Sequence, residues 1–126
     1  MSWSIIFYKN NKGERPVVEW LDTLPKKDRA KVLRNLQLLE EFGLALDFPY
    51  TSEIKGTKLP LRELRTKFST NQYRVIYFAW INNTFVALHG LTKKDWNISQ
   101  GDIKIAEKRY FDFLHDPLKR GGASNE

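Results

Sequence analysis

Apolar side chains recur along this chain with two different periods, and the changes between them mark out its elements. Residues 3–8, Trp-Ser-Ile-Ile-Phe-Tyr, are aromatic and β-branched and predict a first strand. Residues 9–13 read as a turn ending at Gly13. Pro16 suits the first position of a helix that carries Val17, Val18, Trp20, Leu21 and Leu24. After a break at Pro25, Ala30, Val32, Leu33, Leu36, Leu39 and Phe42 fall at helical spacing, which predicts a second helix over about 26–42, closed by Gly43. The two apolar stripes make a helical hairpin that packs into a core. Residues 43–60 hold Gly43, Pro49, Gly56 and Pro60 without a period and read as a long surface connection, a kind of segment that often carries function.

The period then falls to two. Residues 61–68 alternate, with Glu63, Arg65 and Lys67 on one side and Leu64, Thr66 and Phe68 on the other. Residues 72–80 and 84–91 are aromatic and β-branched, and Asn82-Asn83 between them is a hairpin signal. Three strands on short turns predict an antiparallel meander. Ser99 as N-cap, Asp102 in the first turn and Ile98 with Ile103 as a staple open a last helix. Ile103, Ala106, Tyr110, Phe113 and Leu114 are its buried stripe, and Pro117 is expected to end it. Residues 1–118 read as one domain, and 119–126, with Gly121-Gly122, as a disordered tail. The order β-α-α-β-β-β-α predicts an α+β fold in which helices cover one face of a small antiparallel sheet and leave the other as a shallow groove.

A length of 126 residues suits a single core without staples, and none is available, because the chain has no cysteine. Disulfides, thiolate zinc sites and cysteine nucleophiles are excluded together. Two histidines are too few for a histidine-rich metal site, so neither metal nor cofactor is expected. No run approaches about 20 apolar residues and no signal peptide is visible, so a cytoplasmic protein without a membrane partner is expected. Charge changes the picture more. The net charge is +6, and residues 54–94 carry eight basic side chains against one acid, Glu63, whereas residues 14–41 balance six against six. One segment holding the whole excess is the footprint of a polyanion-binding face.

The motifs that cradle nucleotide phosphates and the serine-hydrolase elbow are missing, and the acids do not gather near the basic segment. What remains is a basic sheet with one histidine. Arg65 and Arg74 lie in strands beside apolar neighbours; each either pairs with Glu63 or offers a guanidinium fork to a phosphate. His89 is either held by structural hydrogen bonds or available for proton transfer near neutral pH. Lys93 and Lys94 follow it, as a solvated loop or as phosphate contacts. His115 ends a helix, where its role is structural.

The ordered series Leu61-Arg62-Glu63-Leu64-Arg65, Tyr73-Arg74-Val75-Ile76-Tyr77-Phe78 and Leu88-His89-Gly90-Leu91-Thr92-Lys93-Lys94, followed by a helix with Ala106-Glu107-Lys108-Arg109, resembles the RelE/HigB toxin superfamily, in its phage-derived branch. The resemblance spans about residues 3–116. It implies a RelE-like fold and a metal-independent endoribonuclease that cuts mRNA, commonly on the translating ribosome. It also implies a cognate antitoxin, often a helix-turn-helix protein of the HigA kind. Carried over to this sequence, it places Arg65, Arg74, His89 and Lys93 in catalysis, and Lys55, Lys58, Arg62, Lys67 and Lys94 in RNA or phosphate binding. Two other readings stay open: a ParE-type gyrase inhibitor on the same fold, and a non-catalytic RNA-binding module in which Tyr73, Tyr77 or Trp80 stacks on bases.

Overall fold

A strand whose residues are apolar on both sides needs a core on both sides, and residues 73–78 and 85–88 are of this kind. The computed structural model describes residues 2–93 and 97–121 and supplies both cores. Its elements are β1 (Ser4–Phe7), α1 (Pro16–Asp22), α2 (Lys26–Phe42), β2 (Thr51–Glu53), β3 (Arg62–Phe68), β4 (Asn71–Trp80), β5 (Thr84–Lys93), α3 (Gln100–His115) and α4 (Pro117–Arg120), with a 3-10 turn at Gly43–Ala45. The strands form one sheet in the order β1-β5-β4-β3-β2. The meander β3-β4-β5 is antiparallel, and β2 extends it. β1 runs parallel to β5, so the sheet is mixed rather than purely antiparallel.

The α+β class stands, with a correction to its layers. The hairpin of α1 and α2 covers one face, burying Val17, Leu21, Val32, Leu36 and Leu39 against Leu64, Tyr73, Val75, Tyr77, Phe85 and Ala87. α3 lies on the opposite face, where Ile103, Ala106 and Phe113 join Ile6, Ile76, Phe78, Val86, Leu88 and Leu91. It packs mainly across β5, so that face is covered at one end and open at the other. The expected free face is therefore half a face. The connection over 43–60 is also more ordered than expected: Gly43 at φ 58° ends α2, and Thr51–Glu53 pairs with β3. α3 ends at His115, just before Pro117 as expected, and Pro117 then begins α4, whose Arg120 meets Asp112 at 2.8 Å. Residues 119–121 of the expected tail complete α4 and the turn after it, and the rest of that tail lies outside the described residues. Among the described residues, no helix is long and apolar enough to cross a membrane.

Two details of register position the chemistry. Asn82 and Asn83 both take positive φ, 55° and 52°, the conformation of a tight hairpin turn, and this sets the β4–β5 pairing. Ile76 then faces His89 while the next residue, Tyr77, faces Ala87. Leu88 is the extra residue of a β-bulge, and it reverses which face each later residue of β5 points to. Gly90 consequently lies on the hairpin face, directly under the Trp20 ring of α1. A Cβ placed there would fall 2.2 Å from a ring carbon.

The Gly90→Ala variant should therefore lose about 1–3 kcal/mol of stability, because the indole must move off a well-packed site. Denaturant unfolding of the variant measures it, and a loss below about 0.5 kcal/mol would show that the ring moves freely.

Candidate nucleic-acid interface

Antiparallel pairing lines up side chains across strands, and on the α3 face it makes three rungs. The first holds Glu63, Ile76 and His89, the second Arg65, Arg74 and Leu91, and the third Lys67, Gln72 and Lys93. Successive rungs are about 7 Å apart, two residues of strand rise. α3 covers the His89 end of β5. The second and third rungs hold four cations: Arg65, Arg74, Lys67 and Lys93.

The backbone explains how the second rung is built. Arg65 donates its amide to the Tyr50 carbonyl (2.7 Å), and its own carbonyl accepts from Asn35 of α2 (3.2 Å). Both groups point away from β4, so Arg65 and Arg74 are a non-hydrogen-bonded pair, the closer kind. Two guanidinium groups so placed repel each other. Glu63 relieves the repulsion: its Oε1 lies 2.9 Å from Arg74 Nε, and its Oε2 accepts from Ser52 (2.7 Å). Arg74 also donates to Gln72 Oε1 (2.7 Å) and to the Tyr73 carbonyl (3.2 Å). Only 2% of its side chain is exposed. Burial pulls the Arg74 guanidinium below its ordinary range, and Glu63 opposes that pull while Arg65 adds to it. Arg65 itself is half-buried, with its guanidinium 5.2 Å from the Phe48 ring centre.

Arg65, Lys67, Gln72 and Arg74 line a cleft of about 1000 Å³ that wraps the outer edge of β3. Its far wall is α2, through Lys27, Ala30, Lys31, Arg34 and Leu38, with Tyr50 at one end. Among the described residues, six that line it are basic and none is acidic. The α2 cations escaped the sequence reading because residues 14–41 are balanced overall. The signal was present in the spacing of 27, 31 and 34, one face of a helix. Two buried polar anchors hold that face beside the sheet: Asp28 accepts from the Tyr73 hydroxyl, and Asn35 donates to Thr66 Oγ1 (2.9 Å).

His89 stands apart, under α3. Its Nε2 lies 2.7 Å from Asp102 Oδ1, and Arg109 Nη1 lies 3.3 Å from its Nδ1. Arg109 has only protons to give, so Nδ1 accepts and Nε2 carries the proton donated to Asp102. The same Arg109 nitrogen donates to the carbonyl of the bulge residue Leu88 (2.8 Å). Burial pulls the His89 ring below its ordinary range, and Asp102 opposes that without reversing it, while Arg109 adds to it. Burial would raise the Asp102 carboxyl, but the bonds from Ser99 and His89 outweigh it and hold the group below its usual value. Both ring nitrogens of His89 are thus occupied.

The other expected site residues divide. Lys67 and Lys93 share the rung next to the arginines, on the same face. Arg62 does not: it shares a rung with Tyr77 on the hairpin face and donates to Thr51 Oγ1 (3.2 Å). Lys55 and Lys58 are exposed on the connection before β3, with Lys58 in a smaller cavity shared with Glu107 and Phe111 of α3. Lys94 lies outside the described residues. Base stacking by Tyr73 or Tyr77 is ruled out, since each is 2% exposed within the hairpin core, and Trp80 packs edge-on against Phe113 (4.8 Å). Of the two alternatives open to Arg74, pairing with Glu63 is the one seen, and its guanidinium lies beneath the open face.

Two outcomes follow. Arg74→Ala strands a buried carboxylate and should cost about 3–5 kcal/mol, with Glu63→Ala comparable and the Glu63→Leu/Arg74→Met double variant recovering most of the loss. Denaturant unfolding of the three variants measures it, and a double variant as weak as the singles would overturn the pairing. The lowered His89 value means that the unfolded chain binds its proton more tightly. The resulting stability is present above about pH 6.5, the ordinary histidine value, and is lost as pH falls through the lower native value. Melting temperature should fall from pH 7 to pH 5, less so in His89→Gln; equal slopes would show that His89 does not carry the effect.

Comparison with known proteins bears on most of this architecture. A family model described as "Phage derived protein Gp49-like (DUF891)" matches residues 19–111, from α1 into α3, and so includes the whole arginine rung. No curated protein matches the chain.

Proposed function

From the premise that the chain belongs to the Gp49-like family of phage-derived proteins, we propose that it is a toxin of the RelE/HigB type that cleaves RNA. The family is toxin-like, and the cleft lined by six cations, with no acid among its described residues, is the observation that carries the reading toward RNA. A phosphodiester chain is the ligand whose charge such a wall complements.

The chemistry asked of this face is transesterification within the RNA. The 2′-oxygen attacks the adjacent phosphorus, the bond from phosphorus to the 5′-oxygen breaks, and the products are a cyclic phosphate and a 5′-hydroxyl. The 2′-proton leaves to a base and a proton returns to the 5′-oxygen. Charge accumulates on the non-bridging oxygens as the fifth bond forms. Of the two arginines on the second rung Arg65 is the less buried, and we assign it to that charge. Arg74, fixed behind it by Glu63 and Gln72, contributes a permanent positive field and a rigid neighbour. Lys67 and Lys93 on the next rung take flanking phosphates as point charges. His89, with both nitrogens engaged, keeps α3 and the β5 bulge in place. The reading includes mRNA on the translating ribosome as substrate and a cognate helix-turn-helix antitoxin as partner.

Expression of the chain alone should arrest a bacterial host, and the antitoxin encoded beside it should restore growth. Messages cut in the arrested cells should carry cyclic-phosphate ends, with 5′-hydroxyls on the downstream fragments. Arg65→Ala should reduce the cleavage rate by at least about 10²-fold while keeping the parent's melting temperature. Normal growth at high soluble expression, or an equally active Arg65→Ala protein, would sink the reading.

A further inference from the structure

The cleft has a wall that the chemistry above does not use. On α2, Lys27, Lys31 and Arg34 follow one another at helical spacing, all exposed, and all face the cleft across from β3. The adjoining flank of the same helix is pinned to the sheet by Asp28 and Asn35, so this row stands at a fixed distance from Arg65 and Lys67. At the end of the cleft the connection before β2 presents two aromatic rings to solvent. Phe48 is 69% exposed and Tyr50 40% exposed. Large aromatic side chains left bare on a short loop contribute little to the core. The loop is nevertheless held firmly: Thr51 Oγ1 donates to the Leu46 carbonyl (2.8 Å), the Phe48 amide donates to Asp47 Oδ1 (2.7 Å), and the Tyr50 amide donates to the Asp47 carbonyl (2.9 Å). The Arg65 guanidinium lies over the Phe48 ring at 5.2 Å, which ties the aromatic end to the arginine rung.

We propose that this cleft is a binding track for single-stranded RNA, with Lys27, Lys31 and Arg34 holding backbone phosphates and Phe48 and Tyr50 stacking on unpaired bases. It rests on the reading that the ligand is RNA and adds which form of RNA is taken and which residues hold it. A cation row paired with exposed rings is the arrangement that binds single strands, because stacking needs a base face that a duplex keeps covered. The track runs around the edge of β3, from the α2 wall to the second rung. It would deliver the strand to Arg65 from the hairpin side of the molecule.

The test is fluorescence anisotropy of a labelled ten-nucleotide single-stranded RNA, with a 2′-deoxy nucleotide at every position that the protein cuts, against a blunt duplex RNA of the same length. The parent should prefer the single strand by at least about tenfold. Lys27→Ala/Lys31→Ala/Arg34→Ala should weaken single-strand binding at least tenfold and reduce the salt slope by about 2, from about 0.7 per phosphate contact. Phe48→Leu and Tyr50→Leu keep apolar volume but lose the ring; each should weaken binding at least fivefold and leave the salt slope unchanged. Melting temperatures within a few degrees of the parent verify that each variant is folded, which the exposure of all five side chains favours. If the parent binds the RNA and the triple variant binds it equally well, the track is wrong while the RNA reading survives. Equal affinity for the duplex, or aromatic variants that bind like the parent, also overturns it. No binding of either RNA by the parent removes both.

Discussion

One extra residue in β5 decides which side of the sheet its chemistry faces. Up to Ala87 the strand alternates normally, with Phe85 and Ala87 toward the hairpin and Val86 toward α3. Leu88 is unpaired in the ladder, and from His89 onward the sense is reversed. Without it Leu91 would leave the α3 core, and Lys93 would point away from the arginine rung. A bulge frees a carbonyl that must be satisfied, and here Arg109 of α3 reaches it while also meeting His89. Asp102, in the first turn of the same helix, holds the other side of the ring. The bulge, the histidine and the placement of α3 form one unit, and the open half-face is whatever that helix leaves uncovered.

Within that half-face, charge is arranged by burial. Arg74 is too deep to be solvated and is therefore paired, whereas Arg65, its cross-strand neighbour, is near the surface and keeps its field. A buried ion pair of this sort adds little net stability, since desolvation offsets most of the attraction. It does fix a cation in a place where a mobile side chain would withdraw from its neighbour. Lys67 and Lys93 continue the same field outward, and α2 answers it from across the edge of β3.

Much of this was legible in the sequence, and the parts that were not share a physical reason. Alternation and turn signals placed β3, β4 and β5 nearly to the residue, and helical spacing with Pro16, Pro25 and Gly43 placed α1 and α2. The meander brought Arg65, Arg74, Lys67 and Lys93 to one face, as their positions implied. The two-sided core was harder, since residues 85–91 are almost uniformly apolar and carry no record of a bulge. Arg62 is separated from the other expected site residues for a related reason: it is one step out of phase with Arg65, and strand parity sends it to the other face. β2 is three residues long and lies in a stretch rich in proline and glycine, where pairing comes from β3 rather than from local preference. The α2 wall was hidden by summing charge along the chain. Only the folded helix separates Lys27, Lys31 and Arg34 from the acids that cancel them in the sum.

The Asn35 side chain occupies the place where β2, had it been longer, would have continued its ladder along β3. A strand edge that ends this way is closed by a helix, so the cleft beside it has a wall that does not have to assemble. With the loop at 46–51 held by its own hydrogen bonds, both sides of the opening are in final form before anything arrives. For a polyanion meeting such a surface, the time to bind is set by diffusion through the protein's field rather than by waiting for a gate. Speed of encounter, rather than tightness once bound, is what a rigid, cation-lined opening of this kind favours.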